Sequence, residues 1–314
     1  MSVRKKIEKG LTIVFYILIA AFIVYNIMNL DFATIKDVNV NWFLLIASTL
    51  VRTGSLLLLP LSWKILLGKY VKKSINMGKL YEIYAKSWLG RYIPGKVAWV
   101  GGKIYFAVQE KIDSNVAIIT SFLDSVIQIF SCMLIGVAFF AFTDTAQINQ
   151  NTVILIYVLT VVMVICLIPR IFNWLTSIIY RILKRTKLEE KYYMNGKTLI
   201  SGISVVVISK IISGIGTSFI ILAVYPNLTF QEFIFSLGVF SVSTAIGMAA
   251  LFAPAGIGVK EGMQLVLLVL IIPREFGVIT VALVSVQSII IDLMFYAISK
   301  GIFKFESPLK KKLK

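Results

Sequence analysis

The sequence has no histidine, and this absence removes several kinds of chemistry at once. Without imidazole there is no histidine general acid or base, no Ser-His or Cys-His nucleophilic pair and no histidine-ligated metal. The two cysteines, Cys132 and Cys166, lie inside apolar runs without a CxxC pattern, so they require neither a disulfide nor a metal. A G-x-x-x-x-G-K-[ST] phosphate-binding sequence is also absent. We therefore expect no metal, no cofactor and no ATP-driven step.

Charged residues are also scarce. They make up 15% of the 314 residues, against 58% hydrophobic residues, and the mean hydropathy is +0.89. Soluble domains are about 25% charged and about 45 to 50% apolar, which excludes a water-soluble globule. Apolar runs of the roughly 20 residues that a helix needs to cross a bilayer occur instead. Seven are clear and an eighth is short: 11–30, 42–63, 116–142, 152–169, 198–225, 233–253 and 276–299, with 258–272 as the short run. The sequence predicts a single all-α polytopic membrane domain with about eight transmembrane helices.

The basic residues are distributed unevenly between the loops. Of 32 Lys and Arg, 27 lie in four stretches that fall on the same side of the predicted topology: 1–10, 64–111, 170–197 and 300–314. Cytoplasmic loops hold the excess of Lys and Arg, so both termini are predicted to be cytoplasmic. Topology therefore accounts for most of the net charge of +17, and we expect no nucleic-acid partner. The linker 170–197 contains an amphipathic segment that we expect on the cytoplasmic surface.

Two apolar segments are interrupted by proline and glycine. The first, GRYIPGKVAWVGGK at 90–103, contains Pro94 and Gly95, and the second, FAPAGIGVKEG at 252–262, contains Pro254, Gly256 and Gly258. Both flanks of the first segment are rich in lysine, which predicts a re-entrant hairpin over 81–111 that enters and leaves on the cytoplasmic side. A pair of interrupted segments in the two halves of a chain is typical of the midplane site of a secondary transporter.

Ionisable residues inside or beside the spans are the candidate functional residues. Each charge at the bilayer centre costs about 2.5 to 3.5 kcal/mol on insertion scales. Basic residues outnumber acidic ones in this set, which consists of Arg52, Arg91, Lys96, Lys103 and Lys210, with Asp124, Glu261 and Asp292. A cavity lined in this way favours an anionic ligand such as a lipid phosphate. The alternative is structural pairing, for instance of Arg52 with Asp292 or of Lys210 with Asp124.

The two interrupted segments, together with the Asp124 helix, resemble the signatures of the lysylphosphatidylglycerol synthase transmembrane-region family. This flippase-like region is the membrane domain of the multiple peptide resistance factor, and the resemblance covers nearly the whole chain, 11–300. It implies a plasma-membrane protein of a prokaryote. The matched positions are Pro94 and Gly95 in the first break, Lys103 after it, and Pro254, Gly256, Gly258 and Glu261 in the second signature.

The sequence departs from the family at two places. Asp124-Ser125 stands where the family often has Glu-Arg, and Gln287 lies near a position in the last span that is often arginine. The function of those arginines is therefore either lost or transferred to Arg52 or Arg91.

The leading hypothesis is a lipid flippase-like transporter, not an enzyme. It would move an anionic or aminoacylated phospholipid, or a polyprenyl-phosphate-linked glycan, between leaflets. Arg52, Arg91, Lys96 and Lys103 would hold the phosphate, with Asp124, Lys210 and Glu261 completing the substrate site. The resemblance implies a separate lipid-modifying synthase or glycosyltransferase as partner, and an oligomer is compatible with the sequence.

Two other functions remain open. One is a membrane-embedded transferase that uses a lipid-phosphate sugar donor, with Glu261 or Asp124 as general base. The other is a non-transporting partner of a cell-envelope lipid synthase.

Overall fold

The chain folds into helices joined by short turns. The computed structural model describes residues 39–71, 76–92, 97–143, 150–184, 187–250, 253 and 256–311, and these contain no β-strand. The α-helices are α1 Trp42–Leu56, α2 Leu59–Gly68, α3 Met77–Leu89, α4 Val97–Gln109, α5 Ser114–Ala141, α6 Gln150–Cys166, α7 Pro169–Lys184, α8 Gly196–Val224, α9 Phe230–Ala249, α10 Val259–Leu268 and α11 Arg274–Lys311. Short 3-10 helices lie at Gly90–Tyr92 and Glu190–Tyr192. The expected span 11–30 and the residues Pro94, Gly95, Lys96 and Pro254 lie outside the described residues. The all-α prediction is confirmed for the part that is described.

Side chains with oxygen acceptors fix where several long helices begin. The Asn41 side chain accepts a hydrogen bond from the backbone N–H of Leu44 at the start of α1. Asp113 does the same at the start of α5, and Asn195 at the start of α8. At α9, Thr229 forms a reciprocal capping box with Glu232. Each cap satisfies backbone donors that have no partner inside the helix, so these polar residues define the ends of the apolar segments.

Five helical segments are long and apolar enough to cross a membrane. They are Trp42–Gly68, Ser114–Ala141, Glu190–Val224, Phe230–Ala249 and Arg274–Phe305. A sixth is obtained if Tyr157–Cys166 and Pro169–Ile178, which are bent by 80° at their junction, count as one span. Large apolar side chains such as Phe43, Ile208 and Leu293 are more than half exposed on the outside of the bundle. Hydrocarbon is the solvent that suits them, and the described residues belong to a multi-pass membrane protein.

Some helix boundaries differ from the expected ones. The predicted span 42–63 is divided at Leu57 and Leu58, because Pro60 lies in the first turn of α2 and has no backbone N–H to continue the α1 ladder. Helix α11 continues well past the predicted 276–299, to Lys311. Helix α10 has only 10 residues, or about 15 Å at 1.5 Å per residue, and cannot cross alone.

The predicted hairpin over 81–111 coincides with α3 and α4, which pack against each other. Each has 13 residues, or about 20 Å of helix, against a hydrocarbon core of about 30 Å. Neither helix can cross by itself. Helix α3 also packs on α11, and α4 on α5, so the hairpin is surrounded by protein on two sides. The re-entrant path stays a prediction.

Helix α8 is the central element of the bundle. It packs against α1, α2, α5, α9 and α11. On the neighbouring α5–α9 contact, a Cβ added to Gly136 would lie 2.3 Å from Val242 Cγ2, and one added to Gly238 would lie 2.6 Å from the Phe140 ring. Small residues therefore allow these helices to approach closely, as is usual between membrane helices. A cavity lies beside α8, bordered also by α9, α10 and α11.

Candidate functional site

A cavity of about 500 Å³ lies between α1, α3, α8, α9, α10 and α11. The charged side chains that line it in the described part of the chain are four cations and two carboxylates, namely Arg52, Arg91, Lys210, Lys260, Glu261 and Asp292. Much of the remaining wall is apolar or aromatic and includes Leu56, Leu59, Trp88, Trp99, Met248 and Ile291. Charged and apolar side chains thus line the same cavity inside a membrane protein.

The cavity has an apolar rim. Ile257, Val286 and Ile289 line it, and each of these side chains is more than half exposed. Ile290 and Leu293 continue the exposed apolar surface along α11. The rim therefore joins the charged interior to the surface of the bundle that faces lipid.

Arg52 enters the cavity from α1. Its Nη1 donates to Gln287 Oε1 at 2.5 Å and its Nη2 to Ser288 Oγ at 2.9 Å, both on α11. Gly216 of α8 leaves room for the aliphatic part of the Arg52 side chain, since a Cβ there would lie 2.7 Å from Arg52 Cγ. Both acceptors are neutral, so the guanidinium is held in position without a counter-charge from them.

Asp292 of α11 is surrounded by three donors from the α3 end of the cavity. The Arg91 guanidinium forms an ion pair with Oδ2, and Tyr92 donates its hydroxyl to the same oxygen at 2.5 Å. Trp88 Nε1 donates to Oδ1 at 2.9 Å. The Arg91 guanidinium also lies 4.7 Å from the centroid of the Trp88 ring, in cation–π geometry. Asp292 is 3% exposed, and this cluster fixes the end of α3 to α11.

The second interrupted segment brings Glu261 to the cavity. Gly256 and Gly258 have positive φ of 73° and 85°, which glycine adopts without steric cost and which turns the chain into α10. Glu261 then accepts from the Gly258 N–H at 2.7 Å and caps its own helix. The other carboxylate oxygen lies 3.5 Å from Lys260 Nζ and accepts from the Ser285 hydroxyl at 3.3 Å.

Lys210 lies on α8, at the boundary between this cavity and a smaller polar one of about 70 Å³. It lines both, as do Arg52 and Lys260. The smaller cavity also has the hydroxyl groups of Ser213 and Ser241 on its wall. Among the described residues, no hydrogen bond or ion pair reaches the Lys210 ammonium group. Lys210 is thus a cation inside the bundle without a fixed partner.

Lys103 and Asp124 form a separate, fully buried ion pair. The distance from Lys103 Nζ to Asp124 Oδ2 is 2.5 Å, and both side chains are 0% exposed. Tyr84 and Gln128 donate to the same oxygen at 2.9 and 3.1 Å. The ammonium lies 4.1 Å from the centroid of the Tyr84 ring and 5.4 Å from that of Trp63. The pair connects α4 to α5, and it does not line the cavity.

A sequence model of the lysylphosphatidylglycerol synthase transmembrane region matches residues 10–295. The chain belongs to this family. Comparisons with curated proteins and with solved structures find no match. The matched range includes both interrupted segments and the six charged residues described in the cavity wall.

In this lysylphosphatidylglycerol synthase transmembrane-region protein, Arg52, Arg91, Lys210 and Glu261 come together in one cavity with Gly256 and Gly258 beside it. Lys103 and Asp124 lie outside that cavity. The ion pairs suggested from the sequence, Arg52 with Asp292 and Lys210 with Asp124, do not form. Asp124 pairs with Lys103, and Asp292 pairs with Arg91. Predicted spans give the position of a residue along its helix but not the helix that faces it.

Sequence reasoning also left residues out of the site. Asp292 was a candidate charge without a place in the substrate site, and Tyr92 and Lys260 were not assigned to it. Lys260 could have been predicted from the sequence, because it lies next to Glu261 in the second signature. Gln287 stands near the position where the family often has arginine, and here it accepts from Arg52. The guanidinium of another helix therefore occupies that region.

Proposed function

We propose that this protein is a flippase-like transporter that moves an anionic or aminoacylated phospholipid, or a polyprenyl-phosphate-linked glycan, between membrane leaflets. The observation that carries the proposal is the cavity between membrane helices, with cations inside and an exposed apolar rim. A phosphate head group requires the first feature and acyl or prenyl chains require the second. Membership of a family named for a lipid synthase region supports a lipid ligand.

The proposed path keeps the head group in the cavity and the tails in the bilayer. Arg52 and Lys210 attract the phosphate, while Val286 and Ile289 on α11 contact the chains where they leave the cavity. Alternate opening to the two leaflets requires elements that move, and the short helices α3, α4 and α10 are suited to this because none of them spans the membrane alone. The lipid's own gradient, an ion gradient or a partner would supply the energy.

Transport accounts for the state of the carboxylates better than transfer chemistry does. A general base needs a carboxylate that faces substrate, but Glu261 caps α10 and Asp292 accepts from three side chains. Asp124 is buried against Lys103, away from the cavity. We therefore propose a transporter rather than an enzyme.

The cellular setting is also a proposal. Loop charge supports eight crossings with both termini cytoplasmic, in the plasma membrane of a prokaryote. A separate lipid-modifying synthase or glycosyltransferase would supply the substrate, and an oligomer is compatible with this arrangement.

Reconstitution with a cavity-filling variant tests the proposal. Proteoliposomes would contain head-group-labelled phosphatidylglycerol, its lysyl ester or a polyprenyl phosphate, and an impermeant quencher would report outer-leaflet exposure. Faster exposure of at least one lipid is expected with the wild type and not with Ser213→Phe, which places an aromatic ring in the cavity. Ile208→Phe, on the same helix but with a side chain that is 52% exposed, is the matched control and keeps the wild-type rate. Equal rates in protein-free and wild-type vesicles for every lipid would contradict the proposal.

A further inference from the structure

The charges of the cavity do not balance. Among the residues that the structure describes, four cations and two carboxylates line it, which leaves a formal excess of two positive charges in this part of the wall. Their positions decide which head group the excess favours. An unoccupied carboxylate would receive an ammonium group, whereas an uncompensated cation would receive a phosphate.

Both carboxylates are already engaged by the protein. Asp292 is 3% exposed and accepts from Trp88, Arg91 and Tyr92. Glu261 accepts from the Gly258 backbone and lies 3.5 Å from the Lys260 ammonium. A substrate amine would therefore have to displace an existing cation or a helix cap.

Two cations form no hydrogen bond or ion pair with a carboxylate among the described residues. Arg52 donates only to Gln287 and Ser288, which are neutral, and Lys210 has no hydrogen-bond or ion-pair partner there. Both line the main cavity and the smaller polar one, so they face the same space. The hydroxyls of Ser213 and Ser241 line the smaller cavity, and in the described part of the chain neither hydroxyl has a hydrogen-bond partner.

We infer that Arg52 and Lys210 form a phosphate-binding site, and that the cavity selects lipids whose head group has a net negative charge over aminoacylated lipids. This inference rests on the proposed function and narrows its substrate. Phosphatidylglycerol and its lysyl ester have the same phosphate and the same tails, but the ester adds two ammonium groups. In this cavity the added cations meet Arg52, Lys210 and two carboxylates that are already paired.

Lipid binding by the purified full chain tests this selectivity separately from transport. In a neutral detergent, competition against a fluorescent phosphatidylglycerol would give the affinities of phosphatidylglycerol and its lysyl ester. We expect phosphatidylglycerol to bind at least about tenfold more tightly, a difference of about 1.4 kcal/mol. A polyprenyl phosphate should compete as an anionic lipid does, whereas water-soluble glycerol phosphate should compete far more weakly. If glycerol phosphate competed as well as the lipid, the site would bind a free phosphate compound and the lipid assignment would be wrong.

Charge variants test whether Lys210 belongs to the phosphate-binding site. Lys210→Gln should lose most of the preference for phosphatidylglycerol, and Lys210→Glu should reverse it. Lys197→Gln, which removes an exposed lysine of the same helix, should keep it. Equal binding of the two lipids by the wild-type protein, or tighter binding of the lysyl ester, would overturn the inference even if translocation were fast. Selective binding without translocation would support the phosphate-binding site and contradict the proposed transport instead.

Discussion

The buried Lys103–Asp124 pair should be one of the most sensitive points of the fold, and replacing Asp124 by Asn tests this. The substitution keeps the shape of the side chain but removes the counter-charge of an ammonium group that is 0% exposed. Breaking a buried ion pair on one side typically costs about 3 to 5 kcal/mol, because the remaining charge has neither water nor a partner. The aromatic rings of Tyr84 and Trp63 replace only a part of that loss. We expect Asp124→Asn to lower the free energy of unfolding by about 3 kcal/mol or more.

A double-mutant cycle separates the pair from its surroundings. Lys103→Met removes the ammonium but keeps an unbranched apolar stem, and it should also be destabilising because it leaves the carboxylate uncompensated. The double variant should cost about 2 to 3 kcal/mol less than the sum of the two single variants. The free energy of unfolding would be measured by SDS titration in mild detergent, with the fluorescence of the buried Trp63 and its neighbours as the signal.

An exposed ion pair provides the control. Lys79 and Glu110 lie 2.6 Å apart, but both side chains are more than a third exposed. Glu110→Gln should therefore change stability by about 1 kcal/mol or less. If Asp124→Asn were as mild as Glu110→Gln, the reasoning about the buried pair would be refuted. If the double variant were stable but no longer bound phosphatidylglycerol, Lys103 and Asp124 would be substrate ligands rather than a structural pair.

Three further substitutions follow from the geometry of the cavity. Gly216→Ala should displace the stem of Arg52 and weaken phosphatidylglycerol binding several-fold in the competition assay, with a normal elution volume in gel filtration. Gly256→Ala should lower the free energy of unfolding by at least about 1 kcal/mol, because φ is positive there and the new Cβ would lie 2.7 Å from a backbone oxygen. Asp292→Asn should destabilise less than Asp124→Asn in the SDS titration, since Arg91 is 24% exposed, and should tighten phosphatidylglycerol binding by releasing one more cation. Unchanged phosphatidylglycerol binding in Gly216→Ala and Asp292→Asn would contradict the proposed phosphate-binding site.

The sequence predicted the membrane class and most of the long helices because burial in hydrocarbon requires continuous apolar runs. It also predicted Arg52, Arg91, Lys210 and Glu261 as candidates, since each charge near a span stands out against an apolar background, and the structure places these four in one cavity. Periodicity does not give the break at Leu58, where a proline in the first turn of α2 divides one predicted span into two helices.

Partners distant in sequence could not be predicted in the same way. Arg91 and Asp292 are 201 residues apart, and Lys103 and Asp124 lie on different helices. Their pairing depends on which helices pack together, namely α3 on α11 and α4 on α5. Hydropathy contains no such information, because lipid-facing and protein-facing surfaces of a membrane helix are both apolar. Only the structure therefore distinguishes the cations that form an ion pair with a carboxylate from those that form none among the described residues.

In the proposed function, the charged cavity carries an anionic lipid across the bilayer. The most direct measurement is the fraction of labelled phosphatidylglycerol that an impermeant quencher reaches, as the number of protein copies per vesicle is increased. Protein-free vesicles should expose only the outer leaflet, about half of the label. Vesicles with the wild-type protein should approach complete exposure, and those with Ser213→Phe should stay near the protein-free value. Exposure that remained near half at every protein density would contradict the claim.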